Sequence, residues 1–310
     1  MADFDLDDLH AFALIAACGG VSAAARRHDL SKATLSRSLA RLERAAGAPL
    51  FDRLPRGLLL APGGEALITR ANEALALRQG VEDLFRTTAT EPAGPLRIAG
   101  SAMTVDSLLA GSVAELARRY PALRPEIRVS AHGTDPVTDD LDVAVRVGRP
   151  TAPHLVARRI AASQLGLYAS SALAADFDRR RPETLTAIGR IVVRPETDTD
   201  VWQLTRPDGQ VVRIDGAPRF IVDDPVAALA LMRAGQGMTL LPRFYADALL
   251  PVGEIVPLLP DHVGPQIELF AALPPRRSRI PAVQAFLEVV ARQARDVERA
   301  ADSAQRYHSA

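Results

Sequence analysis

The chain has 310 residues, 48% of them hydrophobic, which suits two or three domains and supplies a sizeable core. Its 37 basic and 37 acidic residues cancel, which excludes a polyanion-coating protein of the histone kind but leaves room for a local basic patch. A single cysteine (Cys18) excludes an intramolecular disulfide, the acidic start MADFDLDDLH is wrong for a secretory signal, and no apolar run approaches the roughly 20 residues of a membrane span, so a cytoplasmic protein with no membrane partner is expected.

In chain order, Leu6, Leu9, Ala13 and Ala16 recur at helical spacing, and Gly19-Gly20 stops that helix. Ser22 can cap a second short helix, and Ser31 a third after the turn His28-Asp29-Leu30. In the third, Leu35, Leu39 and Leu42 form one apolar stripe, while Ala33, Arg37, Arg41 and Arg44 fall on or near the opposite face. Pro49-Leu50-Phe51 begins an extended segment, residues 53–57 form a turn, and Leu58–Leu60 read as the returning strand. From Gly64 to about Thr87, Leu67, Ala74 and Val81 repeat every seven residues with Leu77 and Leu84 interleaved. That seam is a candidate for self-association, the alternative being a helix packed on its own domain. The stretch EPAGP (91–95) is a boundary.

Beyond it strands and helices alternate, which predicts an α/β body with a mainly parallel sheet. Strands are expected at 96–99, 127–131, 143–147, 165–169, 191–193, 211–214, 220–222, 238–241 and 267–272, with helices at 105–119, 225–234 and 281 to about 299. The expected division is a head at 1–62, a linker helix at 63–91 and a body at 92–310. The body has one lobe at about 92–163 and 266–300 and a second at about 164–265.

The chemistry concentrates between Val21 and Ala40, a helix-turn-helix pattern. A helix entering the DNA major groove needs short polar or basic side chains at its N-terminal end. Ser31, Lys32, Ala33, Thr34, Ser36 and Arg37 meet that need, and Ser22 and Arg41 are counted with them. The small residues permit close approach, the hydroxyls reach phosphates or base edges, and Lys32 and Arg37 can bind phosphate or guanine. Arg26, Arg27, Lys32, Arg37, Arg41, Arg44, Arg53 and Arg56 face only Asp29, Glu43 and Asp52 in acidic residues. Arg53 and Arg56 flank a turn that could drop as a wing onto double-stranded DNA. The plainer reading is a helical hairpin with solvated arginines.

The ordered set Ala24-Ala25, Leu30-Ser31, Leu35-Ser36-Arg37, Leu42-Glu43, Gly47, Pro49-Leu50-Phe51, Arg53, Leu60 and Gly64 resembles the N-terminal domain of LysR-type transcriptional regulators. DVAVRVG (142–148), the Trp202 region, AGQGMTLLP (234–242) and the closing Phe286 helix extend the resemblance over nearly the whole chain. It implies a winged helix-turn-helix head, a long dimerising linker helix through Leu67, Ala74, Leu77, Val81 and Leu84, and a two-lobed, periplasmic-binding-protein-like α/β effector domain. It also implies homodimers or homotetramers on promoter DNA, with RNA polymerase a further candidate partner. The chain departs from the family pattern at Lys32-Ala33, at Pro62 and in a short stretch from Thr134 to Asp142.

By resemblance the effector sits between the lobes, at the C-terminal ends of strands. Residues 101–104 (Ser101, Met103 and Thr104 among them) follow a strand and open a helix, a setting that suits an anionic ligand group. The resemblance adds His132, Thr134, Arg146, Arg194 and Trp202, the arginines to pair with a carboxylate and Trp202 to supply an apolar wall. For each there is a structural alternative: salt bridges for the arginines, core packing for Trp202, helix capping for Ser101 and Thr104. The six histidines are scattered without HExxH spacing, Gly235-Gln236-Gly237 lacks the rest of a dinucleotide fingerprint, and no GxxxxGK[ST] occurs. No metal, cofactor or catalytic set is therefore expected. The competing reading is a solute-binding or enzymatic α/β body with an incidental helical prefix.

Overall fold

The computed structural model describes residues 4–54, 57–130, 135–137, 139–193 and 201–308. The chain divides into two compact units, Met1–Phe85 and Arg86–Ala310.

In the first unit, α1 (Leu6–Cys18) starts on a capping box. The Asp8 backbone N–H donates to the Asp5 carboxylate at 2.9 Å, and the Asp5 N–H donates back to Asp8 at 3.3 Å. α2 (Val21–His28) follows from Gly20, so Ser22 lies inside the helix and not at its cap as expected; Gly20 takes the cap position with no side-chain bond. Ser31 does hold the N-cap position of α3 (Lys32–Ala46), but its hydroxyl makes no capping bond. Strands β1 (Phe51–Leu54) and β2 (Gly57–Leu60) pair antiparallel, with Phe51 opposite Leu60 and Leu54 opposite Gly57. The chain then enters α4 (Pro62–Thr87), whose 26 residues span about 39 Å.

One core holds the head together: Leu9, Phe12, Ile15, Ala24, Leu35, Leu42, Leu50, Phe51 and Ala71. The rings of Phe12 and Phe51 lie 5.3 Å apart and tilted by 50°, a favourable aromatic geometry that ties α1 to the wing. Two glycines are needed for close approach. At Gly57 (φ +132°) an added Cβ would sit 2.9 Å from the Gly19 carbonyl oxygen, the same oxygen that accepts the Leu58 N–H at 2.9 Å. At Gly64 an added Cβ would stand 2.2 Å from the Leu50 carbonyl oxygen, so only glycine lets the first turn of α4 pass over the start of the wing.

The second unit runs β3 (Gly94–Gly100), α5 (Ala102–Thr104), a π-helical segment (Val105–Leu109), α6 (Ala110–Arg119), β4 (Leu123–Val129), β5 (Val143–Val147) and β6 (Val156–Ser170). It continues through α7 (Ser171–Ala174), α8 (Pro182–Leu185), β7 (Ile191–Val193), β8 (Trp202–Thr205), β9 (Val211–Ile214), β10 (Phe220–Val222), α9 (Pro225–Arg233), β11 (Thr239–Pro242) and α10 (Arg243–Leu249). It closes with β12 (Ile255–Leu258), β13 (Gln266–Leu273) and α11 (Pro281–His308).

Seven strands form one sheet in the order β11-β6-β13-β5-β3-β4, with β12 also on β6. β3 is parallel to β4 and β5, whereas β13 is antiparallel to β5 and β6, and β11 and β12 are antiparallel to β6. The mainly parallel sheet expected from alternation is thus a mixed one. The parallel rule needs a helical crossover, and the chain passes from β5 to β6 with no helix between them. β6 is the beam of the domain: Val156–Gln164 pairs with β13, and Leu165–Ser170 is flanked by β11 and β12. Its two halves serve separate cores. One gathers Leu96, Ile98, Leu109, Leu116, Val143, Phe286 and Val290; the other gathers Leu167, Leu185, Trp202, Leu204 and Met238.

Candidate DNA-contacting face and effector site

Helix α3 is positioned by what it buries. Leu35 and Leu42 are almost fully enclosed and Leu39 packs beside them, which turns the opposite side outward. Ser31, Lys32, Ala33, Thr34, Ser36 and Arg37 are all exposed, as is Ser22 on α2. Arg37 reaches back to the Thr34 hydroxyl at 3.4 Å, which brings a guanidinium and a hydroxyl together on that face. Arg53 lies on β1; Arg56 lies outside the described residues.

Arg41 departs from the expected set. Its Nε donates to the Asp8 carboxylate at 3.0 Å, and the same guanidinium reaches the Ser38 hydroxyl at 3.2 Å. Asp8 is fully buried and the Arg41 side chain 37% exposed, so Arg41 bolts α3 to α1, and its guanidinium is committed to that contact. A long side chain on the flank of a helix can fold back toward a buried partner in this way. Burial works against charge on Asp8, but the hydrogen bonds from Arg41, Ser38 and the Asp5 N–H outweigh it and hold the carboxyl below its ordinary 3.8.

The seam of α4 divides into two parts. Leu67 and Ala74 are partly buried against the head's own core, beside the fully buried Ala71. Leu77, Val81, Leu84 and Phe85 are exposed, Leu77 by 71% and Phe85 by 70%. A seven-residue repeat cannot separate these cases, because core packing and self-association demand the same apolar periodicity.

In the second unit, β3 ends at Gly100, where an added Cβ would be 2.8 Å from Leu109 Cδ1 and 3.6 Å from Thr104 Cβ. Ser101 caps the following turn: its Oγ accepts the Thr104 N–H at 3.2 Å and lies 2.9 Å from the Thr104 hydroxyl. The Ala102 and Met103 N–H groups precede the first intrahelical bond of that turn. β3 and β5 run parallel with Ile98 beside Val143 and Ala99 beside Ala144; Ser101 follows the end of β3 and Arg146 lies two residues beyond Ala144 on β5. A hydroxyl pair, a helix start and a half-buried arginine thus share the C-terminal ends of two neighbouring parallel strands.

Two expected contacts are instead core residues. Trp202 is 8% exposed and packs in the second lobe's core beside Leu204, with the Arg190 guanidinium 5.2 Å above its ring. Alternation along β8 puts Trp202 and Leu204 inward and Gln203 outward. Met103 is buried against Tyr168, Leu229, Met232 and Tyr245, where it plugs the start of the first lobe's helix into the second lobe. His132, Thr134 and Arg194 lie outside the described residues. One bond joining the lobes was not expected from the sequence: the Tyr245 hydroxyl donates to Asp106 at 3.1 Å. Neither residue belongs to a recognisable motif. Among the described residues no group of histidine, cysteine and acidic side chains is arranged to hold a metal, and no single helix is long and apolar enough to cross a membrane.

A wing-bearing helical head joined by a long helix to a two-lobed α/β domain defines a ligand-responsive DNA-binding regulator. The family profile "LysR substrate binding domain" matches residues 89–295, and "Bacterial regulatory helix-turn-helix protein, lysR family" matches residues 6–65. The chain is 26% identical over 260 residues to the HTH-type transcriptional activator AaeR of Escherichia coli, covering 83% of each. It is 28% identical over 285 residues to the transcriptional regulator PtxR of Pseudomonas aeruginosa, covering 92% of this chain and 91% of that one. In fold it is similar to a full-length variant of AphB (TM-score 0.76, 22% identity, 93% of this chain and 98% of that one) and to AphB of Vibrio cholerae (TM-score 0.69, same identity and coverage). The protein belongs to the LysR family of transcriptional regulators and is not an enzyme.

Proposed function

We propose that this regulator reads promoter DNA through Ser31, Lys32, Thr34, Ser36 and Arg37, with Ser22, Ala33, Arg53 and Arg56 completing the contact face, and answers to a small anionic effector. The observation that carries the DNA part is the two-sidedness of α3. A buried leucine stripe fixes the helix, and every candidate N-terminal contact is solvent-exposed. The effector part rests on the turn 101–104 and Arg146 both lying toward the C-terminal ends of the parallel strands β3 and β5. There a carboxylate could take the helix-start N–H groups, the hydroxyls and a guanidinium together.

The exposed stripe Leu77, Val81, Leu84 and Phe85 supports self-association through the distal half of α4, into a dimer or a pair of dimers that match a two-fold promoter site. A cytoplasmic site of action and contact with RNA polymerase complete the proposal.

The test is fluorescence anisotropy of the full chain on its own gene's upstream DNA, beside a thermal-shift panel of small mono- and dicarboxylic acids. Binding that weakens steeply with salt, and a carboxylate-induced shift that Arg146→Gln removes, are expected. A shift that survives Arg146→Gln would refute the effector assignment, and failure to bind upstream DNA at any salt would refute the contact face.

A further inference from the structure

The boundary between the two compact units falls inside a continuous helix, between Phe85 and Arg86 of α4. The last residues of that helix therefore belong to the effector unit, and one side chain fastens them there. Arg86 donates through Nη1 to Asp142 Oδ1 at 2.7 Å and through Nη2 to Asp142 Oδ2 at 2.9 Å, while Nη2 also reaches the Pro95 carbonyl at 2.9 Å. Asp142 is completely buried, and its Oδ2 also accepts the Arg97 backbone N–H at 2.8 Å. Arg277, from the short turn ahead of α11, stands 3.3 Å from Asp142 and 2.9 Å from Asp140, and Arg97 donates to Asp140 at 2.9 Å. Three arginines from three separate segments close on two carboxylates.

We infer that Arg86 is a positioning residue that anchors the C-terminal end of α4 in the effector domain through Asp142 and so makes that helix end sensitive to the domain's state. A bidentate guanidinium–carboxylate pair fixes direction as well as distance, which a single bond does not. The pair is enclosed, with the Arg86 side chain 17% and Asp142 0% exposed, so solvent and salt screen it little. Asp142 also adjoins the first residue of β5, and Arg146 sits near that strand's far end, about 13 Å along at the strand rise. β5 is hydrogen-bonded on both edges, to β3 and to β13. A displacement at the proposed effector site thus reaches the helix anchor through one short, laterally braced strand.

The inference rests on the proposed effector response, and its test separates the two. Arg86→Gln removes the fork but leaves Asp142 with Arg277 and the Arg97 N–H, so the domain keeps a paired carboxylate. Arg86→Lys keeps the charge without the fork. Arg70→Gln is the control, since it breaks an exposed ion pair with Glu73 on the same helix. Hydrogen exchange on the full chain should show amides of residues 84–88 exchanging about ten- to hundred-fold faster in Arg86→Gln, less so in Arg86→Lys, and unchanged in Arg70→Gln. Affinity for the upstream DNA should stay within about two-fold, while a reporter on that promoter should lose most of its range across growth conditions that move it with the wild type. Unchanged exchange at 84–88, or an intact reporter range, overturns the inference. A wild type that fails to bind the DNA, or whose reporter never moves, counts against the functional proposal, and the exchange result still decides the anchor.

Discussion

At the scale of single residues, Arg37 and Arg41 show how one helix turn separates an exposed arginine from one bound to a buried carboxylate. Both are arginines on α3, yet Arg37 is exposed and Arg41 folds onto the buried Asp8. Arg37→Ala should weaken DNA binding by about 1–3 kcal/mol if it contacts a base, with an unchanged melting temperature. Arg41→Ala should instead cost about 2 kcal/mol of stability, because it strips a buried carboxylate of its charged partner. Paired anisotropy and thermal melts on the two variants distinguish the roles. The Asp8 carboxyl, held below 3.8 in the fold, stabilises the head above that value, and its contribution disappears as pH falls through the lower folded value. The melting-temperature gap between wild type and Arg41→Ala should therefore be full at pH 6 and narrow steadily below about pH 3.8. A gap that is constant, or that widens in acid, would remove Asp8 as its source.

Among the elements, the wing and the first turn of α4 are locked by closeness of backbone approach as well as by side-chain packing. Gly64→Ala would place a methyl group 2.2 Å from the Leu50 carbonyl oxygen. A loss of about 1–3 kcal/mol is expected, the range seen when a packed site is overfilled, and denaturant unfolding of the full chain measures it. The distal half of α4 makes the opposite prediction. Leu84→Glu touches little in its own unit, so it should leave the fold intact and shift sedimentation toward smaller species. How far the sequence could be read follows the same line. The Leu35/Leu39/Leu42 stripe and the Gly19-Gly20 and wing-turn signals are local, and the head could be read from them. β8 and β12 were not expected as strands although the equally short β9 and β11 were, and β6 was expected only in part, because a beam serving two lobes carries no single alternation along its length. Trp202 was misplaced for a related reason: a large aromatic beside a predicted cleft and one in a lobe core look alike until the strand's facing is known.

Across the whole molecule, zero net charge conceals a strong division of labour. The eight basic residues between Arg26 and Arg56 oppose three acidic ones, so the rest of the chain carries the compensating negative charge. Binding to DNA should therefore depend steeply on salt despite an isoelectric point near 7. Each phosphate contact removed, for example by Lys32→Ala, should reduce the slope of log affinity against log salt by about 0.9 per head. A slope that Lys32→Ala leaves unaltered would take Lys32 out of the phosphate set.

The π-helical segment Val105–Leu109 lies between a turn that carries Ser101 and Thr104 and a helix body clamped in the core by Leu109 and Leu116. Such a segment holds one more residue than the α-helical path would need, and an α-helix advances by about 100° per residue. The extra residue therefore acts as an indexing step between a fixed shaft and a working tip. Removing one residue from Val105–Leu109 would force the helix onto a regular ladder, turn the hydroxyl-bearing tip by about a quarter turn and draw Met103 out of its packing with Tyr168, Leu229 and Tyr245. The length of this helix, as well as its sequence, thus sets where Ser101 and Thr104 stand.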